Sequence, residues 1–235
     1  MVDPTALRVR LAAVRERIAR AADRAGRNPS SIRLVAVSKT FDVECVRLAA
    51  EAGQVDFGEN KVQEALQKMD RTTDLSIRWH LVGHLQSNKA KKAGARFDVI
   101  HSVDGVAVAN GLEQAALAAN RGLELLVQVD LAGEPTKHGA RETELAPIFD
   151  AARGWRAARL VGLMLLPPAV DDPEGARPYF QALKRVRQSL LDRGVDHSMV
   201  RELSMGMSHD FEIAIEEGAT LVRVGTAIFG ARPPA

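Results

Sequence analysis

The sequence has few of the residues that would connect it with disulfides, membranes or nucleic acid. Cys45 is its one cysteine, and no apolar run approaches the roughly 20 residues that span a bilayer. Aromatic residues make up 4%, and 32 Lys and Arg against 30 Asp and Glu leave a formal charge of +2. Nucleic acid is therefore not an expected partner. Without an apolar signal core near its amino terminus, the sequence predicts a soluble cytoplasmic protein with no membrane contact.

The chain does contain a repeated unit in which a short apolar strand precedes a helix. Eight β-branched, apolar segments fit this unit, and each is followed by a helical pattern or a helical turn. A chain of 235 residues with eight such units fits one (β/α)8 barrel. An open doubly wound sheet would use similar units, but no GxGxxG follows the first strand. The predicted strands lie within residues 32–40, 55–60, 78–83, 98–103, 123–130, 159–166, 202–206 and 221–225.

The amino-terminal segment lies outside the eight-fold repeat. It begins at Asp3-Pro4, a pair that suits a helix cap and first turn, and it stops at Gly26. The sequence therefore predicts one domain over residues 1–235, a TIM barrel with an extra amino-terminal helix whose outer face is rich in arginine. Apolar residues recur at helical spacing in this helix: Leu7, Leu11, Val14 and Ile18.

Side chains that could carry chemistry follow the ends of the predicted strands, which form the active end of such barrels. Lys39 ends the first strand, where a desolvated amine would be nucleophilic towards an aldehyde. The alternative is that Lys39 only extends from the strand end to solvent. The loops 204–208 and 225–230 offer small residues, hydroxyls and N–H groups, which either hold a phosphate or merely form tight turns.

Arg223 is predicted to point into the barrel. Side chains alternate along a strand, so Val222 and Val224 share the face that suits packing against the outer helices. Arg223 then lies on the inner face, where a buried charge needs an acceptor such as a carboxylate or a ring nitrogen. A reactive lysine, a phosphate cradle and an inward arginine together suit pyridoxal 5'-phosphate (PLP).

Several segments resemble the pyridoxal phosphate homeostasis proteins, a family similar to the amino-terminal barrel of alanine racemase. They are VAVSKT, FGENKVQEA, WHLVGHLQSNKAK, HSVDG, GLMLLPP and LSMGMSHDFEIAIEEGATLVRVGTAIFGAR, and the resemblance runs from about residue 6 to residue 232. It implies that PLP is held covalently, as a Schiff base on Lys39, with Arg223 facing its pyridine nitrogen. It also implies an asparagine in the pocket, three phosphate contacts and two residues at the pocket edge: Asn60; Ser204, Gly225 and Thr226; His84 and Met164.

Some of these residues also have purely structural interpretations. Asn60 and Gln63 fit a capping box at the start of the next helix. His80 and His84 do not predict a metal site, because four residues along a strand separate two side chains by about 13 Å. No metal is expected, and the remaining histidines are interpreted as packing, capping or surface residues: His101, His138, His197 and His209.

The residues and the resemblance together favour a non-catalytic protein that stores, buffers or delivers PLP. An arginine cannot protonate the pyridine nitrogen, which argues against aminotransferase chemistry. Efficient racemisation needs an acid/base group on each face of the substrate. The resembling racemase takes the second one, a tyrosine, from a further domain, which is not expected here because the chain ends about ten residues after the last strand. Tyr179 is its one tyrosine and a weak replacement.

The sequence leaves two alternative functions open. The first is a weak PLP-dependent amino-acid racemase that uses Lys39 and an unrecognised second base, and the more remote one is a Schiff-base aldolase for a phosphorylated sugar. The expected partners of a PLP carrier are PLP itself and PLP-dependent apoenzymes. No long exposed apolar stripe demands a second chain, so a monomer or weak dimer is expected.

Overall fold

Eight parallel strands pair in sequence order and close into a barrel in the computed structural model, which describes residues 3–133 and 138–231. The last strand also pairs with the first, in a register that sets Arg33 against Leu221 and Ala36 against Val224. The predicted (β/α)8 barrel is confirmed. The strands are β1 (Arg33–Val37), β2 (Asp56–Glu59), β3 (Arg78–Leu81), β4 (Val99–Val103), β5 (Leu123–Gln128), β6 (Ala158–Met164), β7 (Glu202–Ser204) and β8 (Leu221–Val224).

Helices surround the barrel, and one of them precedes the first strand, as predicted. None of the helices within the described ranges is both long and apolar enough to cross a membrane. All eight strands are shorter than the predicted segments, and seven of those segments included loop residues that follow the strand. The helices are α1 (Pro4–Arg24), α2 (Val43–Glu51), α3 (Val62–Asp70), α4 (Ala90–Gly94), α5 (Val106–Ala118), α6 (Glu142–Ala152), α7 (Arg177–Asp192), α8 (Phe211–Glu216) and α9 (Thr226–Phe229).

Alternation along the strands divides the buried side chains into two layers. Outward residues such as Val222 and Val224 belong to the large core between the barrel and its helices. A smaller apolar cluster fills part of the barrel interior: Val35, Val37, Val82, Val99, Leu126, Val161, Met164 and Leu221. Polar side chains share this interior, which is unusual for a buried region and calls for hydrogen-bond partners.

α1 is bound to the last two helices by its arginines. The Asp3 carboxylate accepts the Thr5 N–H at 2.9 Å and caps the helix, as the sequence predicted. Arg10 Nε donates to Ile228 O at 2.7 Å, and Arg17 Nε donates to Glu212 Oε1 at 2.7 Å. The predicted arginine-rich face is therefore in part an interface with α8 and α9, because these long side chains reach acceptors on the neighbouring helices.

Candidate functional site

A cavity of about 570 Å³ opens at the carboxyl ends of the strands. Its volume lies within the range of about 300 to 1,000 Å³ that is typical of small-molecule sites. The loops after β1, β2, β3, β6, β7 and β8 all contribute to its wall. Six of the residues singled out from the sequence line this cavity: Lys39, Asn60, His84, Arg223, Gly225 and Thr226.

Another cavity, of about 610 Å³, lies at the opposite end of the barrel. Charged side chains in its wall pair with one another, Arg78 with Glu124 and Arg121 with Asp98. In this fold the amino-terminal ends of the strands serve stability, whereas reactive groups gather at the carboxyl ends. The cavity around Lys39 is therefore the candidate functional site.

Lys39 lies in a tight turn between β1 and α2. The Phe41 N–H donates to Ser38 O at 3.1 Å and closes the turn. Thr40 has a φ of 68°, a strained left-handed conformation for a β-branched residue. A charged acceptor holds it there, since the Thr40 N–H donates to Glu64 Oε1 at 2.6 Å. The turn leaves Lys39 half-buried in the cavity wall.

The buried ammonium of Lys68 stabilises this turn through hydrogen bonds. Lys68 Nζ donates to Ser38 O at 2.8 Å, to Glu59 Oε1 at 2.7 Å and to Glu64 Oε1 at 2.9 Å. Glu59 also accepts the Ser38 hydroxyl at 2.6 Å. Burial raises the pKa of the Glu59 carboxyl, and the positive charge of Lys68 opposes that rise. One ammonium thus holds the residues on both sides of Lys39, and nothing in the sequence analysis anticipated it.

Asn60 reaches the cavity because β2 and β3 approach each other closely at their ends. A Cβ at Gly83 would lie 2.3 Å from Asn60 O, so no larger residue fits at position 83 without moving Asn60. The capping-box interpretation of Asn60 with Gln63 is wrong. α3 begins at Val62 with Lys61 as its N-cap, and no side chain caps it.

Arg223 forms the floor of the cavity and is 4% exposed. Its Nη1 donates to Ser204 Oγ at 2.5 Å and its Nη2 donates to Leu165 O at 2.8 Å. The acceptors that the protein itself supplies are therefore a hydroxyl and a carbonyl, and neither is the carboxylate that the sequence suggested. Burial lowers the pKa of Arg223 to about 10, against the opposing effect of Asp210, so the guanidinium is still charged at neutral pH.

Ser204 and Met164 lie outside the cavity wall, in a different environment from the one expected. Ser204 is the last residue of β7, and its fully buried hydroxyl points into the barrel towards Arg223. Met164 is fully buried in the interior cluster. Ser208, four residues after Ser204, lines the cavity instead and accepts the Gly225 N–H at 3.2 Å.

His84 stacks on His138 at the cavity rim, a contact that the sequence did not reveal. The ring centroids are 3.4 Å apart with an interplanar angle of 11°, and Asp104 Oδ2 lies 3.6 Å from His84 Nδ1. Ligand atoms of these three residues lie within 4.8 Å of one another. A shared metal ion would have to lie near both ring planes, and planes this close to parallel do not meet at bonding distance. The stack therefore does not form a metal site in this arrangement.

Known proteins match this chain over almost its whole length. The family described as alanine racemase, N-terminal domain, matches residues 9–233. A Pseudomonas aeruginosa protein named pyridoxal phosphate homeostasis protein is 42% identical over 94% of this chain and 94% of its own length. One of the same name from Aquifex aeolicus is 40% identical over 95% and 97%. The structure of PipY from Synechococcus elongatus PCC7942 with PLP bound is similar with a TM-score of 0.84 and 37% identity, covering 95% of this chain and 100% of that one.

The Glu59–Lys68 pair under the Lys39 turn predicts a specific stability loss. Lys68→Met leaves a buried carboxylate without its cation and should lower the free energy of unfolding by about 3 to 5 kcal/mol. Lys91→Met, on the exposed side of α4, should change it by less than about 0.5 kcal/mol. Denaturant unfolding of both variants gives these values.

The Lys68→Met loss should also depend on pH in a defined direction. Burial raises the pKa of Glu59, so the folded state binds its proton more readily than the unfolded state does. The contribution of this carboxyl to stability therefore falls as pH rises above the ordinary carboxyl value of about 4.3. Without Lys68 the pKa of Glu59 rises further, and the pH dependence of stability becomes steeper. The loss of unfolding free energy in Lys68→Met should therefore be smaller at about pH 5 than at about pH 8. An equal deficit at both would contradict this explanation.

Proposed function

Since the chain belongs to the alanine racemase N-terminal domain family, we propose that it binds PLP and acts in PLP homeostasis by storing, buffering or delivering the cofactor. The observation that carries this proposal is the convergence of an amine, a hydroxyl loop and a buried guanidinium on one cavity. Two curated relatives carry the name pyridoxal phosphate homeostasis protein, and PipY has been solved with PLP bound. PLP-dependent apoenzymes are the proposed recipients.

The cavity residues fit the three functional groups of PLP. Lys39 is the amine that attaches covalently to the aldehyde, since its turn holds it at the cavity wall. Arg223 faces the pyridine nitrogen from the cavity floor, and Asn60 and His84 border the ring. When bound, PLP supplies an aldehyde that exchanges between amines, which suits reversible loading and release.

The phosphate is proposed to lie against the loops after β7 and β8. Ser208 takes the role that the sequence suggested for Ser204, because its hydroxyl lines the cavity whereas that of Ser204 is buried beneath Arg223. The Gly225 and Ala227 N–H groups already point at Ser208 Oγ, at 3.2 Å and 3.4 Å. Thr226 adds a second hydroxyl residue to the same wall. These donors suit a phosphate dianion.

The proposed PLP carrier does not catalyse reactions of amino acids. The charged Arg223 cannot protonate the pyridine nitrogen, so the ring stays a poor electron sink. Tyr179 lies on α7 and packs against the outer core, away from the residues that line the cavity. The family relationship to alanine racemase keeps a weak racemase as the second candidate. In that case Lys39 would serve one face of the substrate, and His84 or His209 of the cavity wall would serve the other.

Covalent attachment predicts a labelled lysine. Borohydride reduction of the PLP-loaded protein followed by peptide mapping should find the pyridoxyl group on Lys39, because this lysine lines the cavity. Lys39→Ala should abolish the label, while Lys61→Ala, at the start of α3, should keep it. A label on another lysine would contradict the assignment, and a protein that never turns yellow would favour the aldolase alternative.

The phosphate contacts predict that two serines behave differently. Ser208→Ala should weaken PLP more than pyridoxal, by about 0.5 to 3 kcal/mol, since only PLP has the phosphate. Ser204→Ala is the matched control, because its hydroxyl lies in the barrel interior. It should weaken both ligands equally. Binding titrations measure both, and a phosphate-dependent loss in Ser204→Ala alone would return the phosphate to the site expected from the sequence.

A non-catalytic carrier should not turn over amino acids usefully. Losing one member of an acid/base pair typically costs about 10²- to 10⁴-fold in rate. Deuterium exchange at the α-carbon of L- and D-amino acids, followed by chiral analysis, should therefore show at most a slow side reaction. Racemisation with a kcat of about 1 per second or more, abolished by Lys39→Ala, would replace the carrier with the racemase. His84→Phe and His209→Phe would then identify the second base.

A further inference from the structure

A continuous column of hydrogen bonds runs through the barrel interior and ends at Arg223. Asp56 Oδ1 lies 2.8 Å from His80 Nε2, and His80 Nδ1 lies 2.8 Å from His101 Nε2. His101 Nδ1 in turn lies 2.8 Å from Ser204 Oγ, which accepts from Arg223 Nη1 at 2.5 Å. Because Asp56 is the first residue of β2, the column extends from the amino-terminal end of the barrel to the cavity floor.

The two histidines have no role in the proposed PLP contacts, yet they are fully buried. Imidazole rings are costly to place inside a barrel that apolar side chains could fill. Burial lowers the pKa of His80, with Asp56 opposing, and lowers that of His101 well below the ordinary value. The nearby charges of Arg33, Arg78 and Arg223 act in the same direction as burial on His101. Both rings are therefore neutral at neutral pH.

With both rings neutral, only one assignment of donors and acceptors satisfies every hydrogen bond of the column. A carboxylate only accepts, so His80 must carry its proton on Nε2, facing Asp56. Its Nδ1 is then an acceptor, and His101 must donate to it from Nε2. His101 Nδ1 is left as an acceptor for the Ser204 hydroxyl proton. The lone pairs of Ser204 Oγ remain for Arg223, which can only donate.

We propose that His80 and His101 are positioning residues. Their hydrogen bonds direct the hydroxyl proton of Ser204 towards His101, and this keeps the Ser204 oxygen as a fixed acceptor for Arg223. The effect on PLP rests on the proposed function, in which Arg223 faces the pyridine nitrogen. The direction of the column in the unloaded protein does not rest on it. If His80 were charged, every bond from His80 to Ser204 would reverse, and Ser204 would have to turn its proton away from His101.

Nuclear magnetic resonance tests the direction in the unaltered protein, and variants serve only to assign its signals. Long-range ¹H–¹⁵N correlation of the full chain, unloaded and labelled in its histidines, distinguishes the two neutral tautomers and the charged ring. Both His80 and His101 should carry a proton on Nε2 alone at about neutral pH. A proton on Nδ1 of either ring would overturn the proposal. Spectra of His80→Gln and His101→Gln identify the signals.

Ligand binding tests the effect on Arg223. The probes are PLP and 1-deaza-PLP, in which a C–H group replaces the ring nitrogen. His101→Phe fills the space but removes the acceptor for Ser204, and it should weaken PLP by about tenfold, the effect of one hydrogen bond. It should leave 1-deaza-PLP unchanged. His101→Asn restores an oxygen near the Nδ1 position and should recover most of the PLP affinity. Ser208→Ala provides the contrast, because it should weaken both ligands through the phosphate.

The outcomes separate this proposal from the proposed function. An equal loss of both ligands in His101→Phe, or no loss of either, would overturn the positioning role. If the unaltered protein binds neither ligand, the proposed function fails, and the tautomers measured in the unloaded protein still decide the direction of the column. If His101→Phe unfolds, Asp56→Leu supplies the second variant. It removes the carboxylate that accepts from His80 Nε2, so the His80 proton is no longer fixed on Nε2, and it should show the same selective loss of PLP.

Discussion

A guanidinium cannot be buried in a barrel without acceptors for its N–H groups, and Arg223 meets this requirement with Ser204 Oγ and Leu165 O. The requirement extends further than the first contacts. Ser204 is fully buried as well, so its own proton needs an acceptor, and His101 supplies it. Each polar group in this column thus needs a hydrogen-bond partner, which in turn needs another. The series ends at the carboxylate of Asp56, which lies close to solvent. A small apolar cluster shares the barrel interior with this column.

Two separate polar networks hold the two ends of the site. Lys68 and its carboxylates fix the Lys39 turn from outside the barrel, whereas the histidine column holds Arg223 from inside. Groups held in this way need little reordering when a ligand binds, which lowers the entropic cost of binding. The strained left-handed Thr40 fits the same explanation, because the Glu64 carboxylate accepts its N–H and helps to hold that conformation.

Local patterns were enough to predict the barrel, the place of Lys39 and the inward direction of Arg223, because alternation and strand ends are properties of single segments. The pairing of His80 with His101 depends on how β3 lies against β4, which no single segment records. Lys68 was missed because a lysine on a helix is ordinarily solvated, and its burial is compensated by Glu59 and Ser38 O, which come from distant segments, together with Glu64. The serine that lines the cavity is Ser208 and not the expected Ser204, because β7 ends with the Ser204 side chain turned inward.

The arginines of α1 have a consequence for how the barrel closes during synthesis. Arg10 and Arg17 bond to residues 218 and 195 positions later, in α9 and α8, and β1 pairs with β8, so the first strand of the barrel waits for the last. Contacts this distant along the chain form slowly, because a long loop must close before any bond compensates for the lost entropy. Until then β1 has an open edge that could pair with another nascent chain. Sealing of that edge and docking of α1 against α8 and α9 thus both wait for the last part of the barrel.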